Sequence, residues 1–99
     1  MIIERNTFHL KYGRAKESIA IWKQVLEVAK EHGMRCRLMT DVTGPSYTLI
    51  LDVFLKGWTD IGPKTYYWFT DEKFRQLYEQ FKPMCEWAER EYFKIEFEG

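Results

Sequence analysis

Two residues with the chemistry of a proton-transfer site, His9 and Asp52, lie in stretches that otherwise have the composition of buried strands. Asp52 interrupts "TLILDVFL", residues 48–55, in which six of the eight residues are apolar. A histidine titrates near neutral pH and can act as a general base, and a carboxylate beside it would hold one tautomer of the ring. The pattern therefore raises the hypothesis of a catalytic His9 that is oriented by Asp52.

Arg5 and Arg37 offer Asp52 a different partner, because an arginine is always charged and its guanidinium forks onto a carboxylate. In that case the contact is a plain ion pair, which is the favoured interpretation, and His9 is a hydrogen-bonded structural residue. Alternatively, the two arginines bind a polar substrate and stabilise negative charge that develops on it. The register between the strands decides among these possibilities, and it cannot be read from the sequence.

Aromatic residues make up 17% of the chain, and they include four tryptophans. Phe54, Trp58 and Trp68 could form the wall of a pocket for a flat ligand. Core and interface packing is the alternative for these residues and for the neighbouring aromatics of "TYYWF".

The composition restricts the class of protein. Residues 1–99 are enough for one domain, and 15 basic residues balance 15 acidic ones, which argues against nucleic acid as the main partner. No apolar run is long enough to span a membrane, and the N-terminus lacks a signal sequence, so a cytoplasmic location is expected. Cys36 and Cys85 stand alone and are expected to be reduced, and the two histidines and two cysteines lack the spacing of a metal site.

Hydrophobic periodicity predicts four strands and two helices. The predicted order is a strand at 2–12, a helix at 15–32, strands at 34–43 and 46–56, a helix from Asp71 through Ala88 that is kinked at Pro83, and a strand at 91–97, "EYFKIEF". Asp71 or Thr70 is the expected N-cap of the second helix, His32 is expected to cap the end of the first, and Gly62-Pro63 could open a short helix between the third strand and the second long helix.

This β-α-β-β-α-β order predicts an α+β protomer of the ferredoxin-like plan. Right-handed crossovers place the first and third strands in the centre of a four-stranded antiparallel sheet, with both helices on one face. Tyr47, Leu49, Leu51, Val53 and Leu55 form the apolar side of the third strand, and this side is expected to face the helices.

The opposite side of the sheet, called here the second face, is partly apolar and partly charged. Its expected members are Ile3, Arg5, Thr7, His9, Arg35, Arg37, Met39, Ile50, Asp52, Phe54, Tyr92 and Lys94. Burial would stabilise the apolar members, whereas a lone buried carboxylate would cost several kcal/mol. Two such faces packed together around a polar cavity would satisfy both requirements, so the sequence predicts a homodimer through the sheets.

The sequence also resembles a known family. "FHLKYGRAKESIAIWK", with Lys11, Gly13 and Arg14 at its turn, then the Gly44-Pro45 hairpin and Arg90 before the last strand, is similar to the NIPSNAP-like members of the dimeric α/β-barrel superfamily. That resemblance implies a ferredoxin-like protomer that dimerises through its sheet into a barrel with a central pocket. In the family, the segment after Trp58 is commonly one continuous helix, which Gly62-Pro63 interrupts here.

The resemblance implies several possible functions, because relatives include cofactor-free monooxygenases, haem-degrading enzymes, lactone isomerases and proteins without known activity. The first hypothesis is an enzyme that acts on a small aromatic or carbonyl compound without a metal or other cofactor. His9 would move the proton, Asp52 would orient it, and Arg5, Arg37, Phe54, Trp58 and Trp68 would bind the substrate. The second is a non-catalytic binding or structural dimer module, and the third is a haem protein with His9 as ligand.

Overall fold

The computed structural model describes residues 1–60 and 70–99. Its elements are β1 (Ile2–Leu10), α1 (Ala15–Glu31), β2 (Arg35–Thr40), β3 (Thr48–Leu55), a 3-10 turn (Trp58–Asp60), α2 (Glu72–Phe81), a second 3-10 turn (Lys82–Met84) and β4 (Cys85–Lys94). The possible short helix at Gly62-Pro63 lies outside the described residues.

The four strands form one antiparallel sheet in the order β2-β3-β1-β4. This order confirms the predicted ferredoxin-like arrangement, with the first and third strands in the centre. The register places Arg5 opposite Asp52 and His9 opposite Thr48. On the other side of β3, Arg37 is opposite Asp52.

Both helices pack on one face of the sheet, here called the helix face. The apolar side of β3, formed by Leu49, Leu51, Val53 and Leu55, is almost completely buried. These residues share one cluster with Trp22 and Val25 of α1 and with Leu77 and Phe81 of α2. The alternation of residues along a strand therefore turns the even-numbered residues of β3 toward the second face.

The two helices are also joined at their ends. Asp71 is the N-cap of α2, because its side chain accepts hydrogen bonds from the backbone N–H groups of Lys73 and Phe74. His32 is the C-cap of α1, and its Nε2 atom lies 3.0 Å from the Asp71 carboxylate. The hydrogen bond with His32, followed by those from the backbone, lowers the pKa of Asp71 below its usual value.

The prediction for the end of the chain was wrong in part. The second helix ends at Phe81, and Cys85 and Ala88 belong to β4 rather than to the helical stripe. Pro83 has no N–H for the helix and lies in the 3-10 turn, after which the chain pairs with β1. The pairing with β1 starts six residues before the predicted strand and stops at Lys94, so Phe97 is not in the sheet.

The register of β4 against β1 also corrects which residues of β4 lie on each face. Directly paired residues share a face, and Tyr92 pairs with Glu4 while Lys94 pairs with Ile2, so both belong to the helix face. The second face instead receives Trp87, Glu89, Glu91 and Phe93 from β4. The other predicted strands are each shortened at their ends, with β1 stopping at Leu10 and β2 spanning Arg35–Thr40.

In the described parts of the chain, the helices are too short or too polar to cross a membrane.

Candidate functional site

The centre of the second face is an ion cluster around Asp52. The Nε atom of Arg5 donates to Oδ1 of Asp52 at 2.9 Å, and its Nη2 atom donates to Oδ2 at the same distance. From the other neighbouring strand, Nε of Arg37 donates to Oδ2 at 2.9 Å. The register of the sheet produces this contact directly, since both arginines lie opposite Asp52 on adjacent strands.

The Asp52 side chain is fully buried, whereas those of Arg5 and Arg37 keep 31% and 49% of their surface exposed. Burial by itself raises the pKa of Asp52, but the hydrogen bonds from Arg5 and Arg37 outweigh it and lower the pKa of this carboxyl below its usual value. The hydrogen bond to Asp52 likewise raises the pKa of Arg5. The cluster therefore holds an ionised carboxylate away from water between two partly hydrated cations.

The ion pair of Asp52 with arginine, favoured from the sequence, is present, and the alternative contact between Asp52 and His9 is not made. His9 lies opposite Thr48, four residues from Asp52 along β3, which corresponds to roughly 13 Å of strand. Its Nε2 atom is 3.2 Å from Oε1 of Glu89, and its ring stacks on Trp87 with 3.8 Å between the ring centroids. The carboxylate beside His9 is therefore Glu89 and not Asp52, because the register separates the two predicted catalytic residues.

The other predicted ligand-binding residues are dispersed. Phe54 is on the second face, where the guanidinium of Arg35 stacks on its ring at 4.4 Å and that of Arg37 lies at 5.3 Å. Trp58 is 68% exposed, and it contacts Tyr92 of the helix face rather than the ion cluster. Trp68 lies outside the described residues.

A second group of polar side chains, which the sequence analysis did not propose as a site, lies beneath the helices. Glu4 is only 2% exposed. Its carboxylate accepts hydrogen bonds from Nδ2 of Asn6 at 3.1 Å and from the hydroxyl of Tyr92 at 3.2 Å. Arg90 donates to Oδ1 of Asn6 at 2.9 Å, and its Nε atom is 3.8 Å from Glu4. We call these four residues the Glu4 cluster.

Three residues of the Glu4 cluster, Glu4, Asn6 and Arg90, line a cavity of about 50 Å³ between the sheet and the helices. The remaining walls are apolar and are formed by Phe8, Trp22, Leu51, Val53 and Tyr78. Trp22 is itself buried, and its indole N–H has no hydrogen-bond partner among the described residues. The cavity therefore combines a flat aromatic wall with a buried carboxylate, an amide and a guanidinium.

One sequence signal could have indicated this site. Glu4 and Asn6 share the alternating face of β1 that also carries Ile2, Phe8 and Leu10, so two polar residues interrupt a face that the helices cover. Polar groups that the helices bury need hydrogen-bond partners. Their presence on such a face therefore indicates a specific polar site more clearly than an exposed charge does. The partners, Arg90 and Tyr92, are identified only by the register of β4, which pairs them with Asn6 and Glu4.

Metal binding receives no support from side-chain clustering in residues 1–60 and 70–99, where no group of three His, Cys, Asp or Glu residues is arranged to hold an ion.

Comparison with solved structures confirms the expected fold similarity. An uncharacterised NIPSNAP domain protein from Burkholderia xenovorans superimposes with a TM-score of 0.85 at 15% identity, over 96% of this chain and 94% of the other. A NIPSNAP family protein from Agrobacterium tumefaciens gives 0.84 at 12% identity, over 97% and 94%. An antibiotic biosynthesis monooxygenase gives 0.76 at 9% identity, over 96% and 98%.

At these identities the similarity establishes a shared ferredoxin-like fold and no particular activity. No protein-family model matches the chain, and no curated protein matches it in sequence.

The lowered pKa of Asp52 predicts a specific acid sensitivity. A carboxyl whose pKa is lower in the folded than in the unfolded state stabilises the protein above the unfolded value, about 3.9, and this contribution is lost as the pH falls toward the folded value. We expect Asp52→Asn to reduce the free energy of unfolding at pH 7 by about 3 kcal/mol, because Arg5 and Arg37 would lose the buried carboxylate that balances their charge.

Urea unfolding between pH 7 and pH 2 measures both effects. The wild type should lose stability more steeply than Asp52→Asn below about pH 4, and the slope that remains in the variant should include the contribution of Asp71. Glu27→Gln, which removes an exposed carboxylate from α1, is the control. Equal slopes for the wild type and Asp52→Asn would contradict a charged Asp52 as a stabilising group.

Proposed function

We propose that this chain is a single-domain homodimer that binds a small hydroxyl-bearing organic molecule in the cavity between its sheet and its helices. The main observation in support of the ligand site is the burial of the Glu4 carboxylate in the wall of a cavity that also contains flat aromatic surfaces. Convergent polar groups with apolar walls are typical of small-molecule sites, and at about 50 Å³, against roughly 300–1,000 Å³ for drug-sized ligands, this cavity restricts the ligand to a very small molecule.

The chemistry of the Glu4 cluster supports a ligand with a hydroxyl group on a flat apolar body. An ionised carboxylate offers about four acceptor positions, and Asn6 and Tyr92 each use one of them on Glu4. A ligand hydroxyl could donate to Glu4 and accept from Arg90, whose guanidinium carries five N–H groups and donates one to Asn6. The ring of a phenol would then lie against Phe8 and Trp22.

Proton transfer is the reaction that this arrangement could assist. Glu4 would take the hydroxyl proton, and the charge of Arg90 would stabilise the resulting oxyanion. The fold similarity to an antibiotic biosynthesis monooxygenase is compatible with such a step as part of a reaction on a small organic molecule. The acid–base role first assigned to His9 and Asp52 is thereby transferred to Glu4, because His9 and Asp52 do not meet.

The homodimer is supported by the composition of the second face. Trp87 and Phe93 are 54% and 45% exposed there, beside the partly buried Ile50, Met39 and Phe54. Among the described residues, the cluster shared by sheet and helices draws no side chain from this face. Large exposed apolar side chains in one patch are typical of a protein–protein interface.

The proposal includes a cytoplasmic location, where thiols stay reduced. Cys36 and Cys85 are free and belong to the opposite edge strands of the sheet, roughly 14 Å apart, which is too far for a disulfide. Burial, together with the nearby Glu4 charge, raises the pKa of Cys36 to about 12, so this thiol resists oxidation.

Phenol is the probe for the ligand site, and the indole N–H resonance of Trp22 reports its binding. Titration of the wild type, followed by ¹H–¹⁵N NMR, should shift this resonance, with Trp22→Phe providing the assignment. Glu4→Gln and Arg90→Gln should each weaken binding about tenfold, since each removes one charge-assisted hydrogen bond. Tyr92→Phe, which removes only the hydroxyl that contacts Glu4, should have a smaller effect.

Glu96→Gln, which alters an exposed carboxylate near the C-terminus, is the control and should bind phenol as the wild type does. Circular dichroism establishes that each variant is folded. A Trp22 resonance that does not respond to phenol would contradict the site, and unchanged affinity in folded Glu4→Gln would contradict the role of Glu4.

The dimer is tested by sedimentation equilibrium at micromolar concentration. The expected result is twice the mass of one chain. A stable monomer across the accessible concentrations would refute the homodimer without affecting the ligand site.

A further inference from the structure

The charged residues of the second face form a single row across all four strands. The register aligns Arg37 of β2, Asp52 of β3, Arg5 of β1 and Glu91 of β4. From one edge of the sheet to the other, the charges therefore alternate as plus, minus, plus, minus. The rows on either side are mainly apolar or uncharged, with Arg35, Phe54, Ile3 and Phe93 on one side and Met39, Ile50, Thr7 and Glu89 on the other.

We infer that this row sets the symmetry of the homodimer, so that Arg37 of one copy pairs with the partner's Glu91 across the two packed sheets. This inference deepens the proposed dimer and rests on it. Two identical faces that pack against each other are related by a two-fold axis lying between them. The direction of that axis decides which residues of the row meet.

An axis parallel to the strands reverses the row. Arg37 then faces the partner's Glu91, Asp52 faces the partner's Arg5, and each of the four positions meets the opposite charge. An axis that runs across the strands along this row leaves the row in the same order, so that arginine faces arginine and carboxylate faces carboxylate. Like charges brought together in an interface cost several kcal/mol, so the row favours the first axis and disfavours the second.

The same axis suits the edges of the sheet. The pairing order makes β2 antiparallel to β4, and a two-fold axis along the strands preserves strand direction. The β2 edge of one copy therefore lies along the partner's β4 in the antiparallel sense, in which two edges can share hydrogen bonds. An axis across the strands would also give antiparallel edges, so the edges are compatible with the axis that the charges select but do not select it themselves.

The residues that meet at the edge of the row are available for such contact. The side chain of Arg37 is 49% exposed, and Glu91 is also exposed. Within one chain these two residues are on opposite edges of the sheet, roughly 14 Å apart, and this separation exceeds the screening length of about 8 Å at physiological salt. A direct contact between them therefore requires two different chains, whereas within one chain they interact only through Asp52 and Arg5.

The dimer dissociation constant of Glu91→Gln discriminates between the axes. Sedimentation velocity over a concentration series should show about three- to tenfold weaker dimerisation, because two symmetry-related pairs are lost. Arg37→Gln should weaken the dimer in the same way, and the double variant should be no weaker than the weaker single variant. Glu27→Gln, which makes the same charge change on α1, should leave the dissociation constant unchanged.

Each alternative has its own result. Tighter dimerisation of Glu91→Gln would overturn the inference in favour of the axis across the strands. Additive effects of the two substitutions would show that Arg37 and Glu91 of different chains do not meet. A monomeric wild type would instead refute the proposed dimer itself. Thermal unfolding establishes that Arg37→Gln is folded, as expected from the two hydrogen bonds that Arg5 still donates to Asp52.

Discussion

The carboxylate of Asp52, enclosed by Arg5 and Arg37, is the interaction on which the second face of the sheet depends. An ionised carboxylate without solvent is costly unless charged donors surround it. Here Arg5 and Arg37, which lie on the two strands beside β3, donate three hydrogen bonds to the carboxylate, all with N–O distances of 2.9 Å. The contact ties β2 and β1 to β3 through their side chains, in addition to the backbone ladder, and it fixes the position of charge at the centre of the face.

The two faces of the sheet use buried acidic residues in different ways. Asp52 is saturated by two arginines, and this leaves it little capacity to accept a proton or bind a ligand. Glu4 on the helix face receives hydrogen bonds from neutral groups, while its nearest cation, Arg90, stands 3.8 Å away beside a cavity. The ligand binding and proton transfer that we propose therefore belong to the helix face, and the second face forms the proposed dimer interface.

The sequence predicted the order of the elements, the arrangement of the strands and the apolar side of β3, because hydrophobic periodicity determines these features. It also identified Asp52 and its two possible arginine partners. It could not choose between arginine and His9, since that choice depends on the register between β1 and β3, and a shift of a few residues along the strand exchanges them.

The end of the chain shows why the Glu4 cluster was missed. A helical stripe that continued through Cys85 and Ala88 suggested a strand starting near residue 91, whereas Pro83 ends the helical segment and β4 begins at Cys85. Tyr92 was assigned to the wrong face because the more apolar residues Phe93, Ile95 and Phe97 were matched to the helices, and Arg90 lay before the predicted strand. Only the pairing of β4 with β1 brings both residues to Glu4 and Asn6.

The ionisation state of Asp52 in the folded protein tests the central claim most directly. In a pH titration followed by the ¹³C resonance of its side-chain carboxyl, the shift should remain that of a carboxylate at pH values below the ordinary aspartate pKa of about 3.9. Protonation at or above that value would show that the cost of burial exceeds the effect of the two arginines. The alternating row of charges, and the dimer symmetry inferred from it, would then lose their basis.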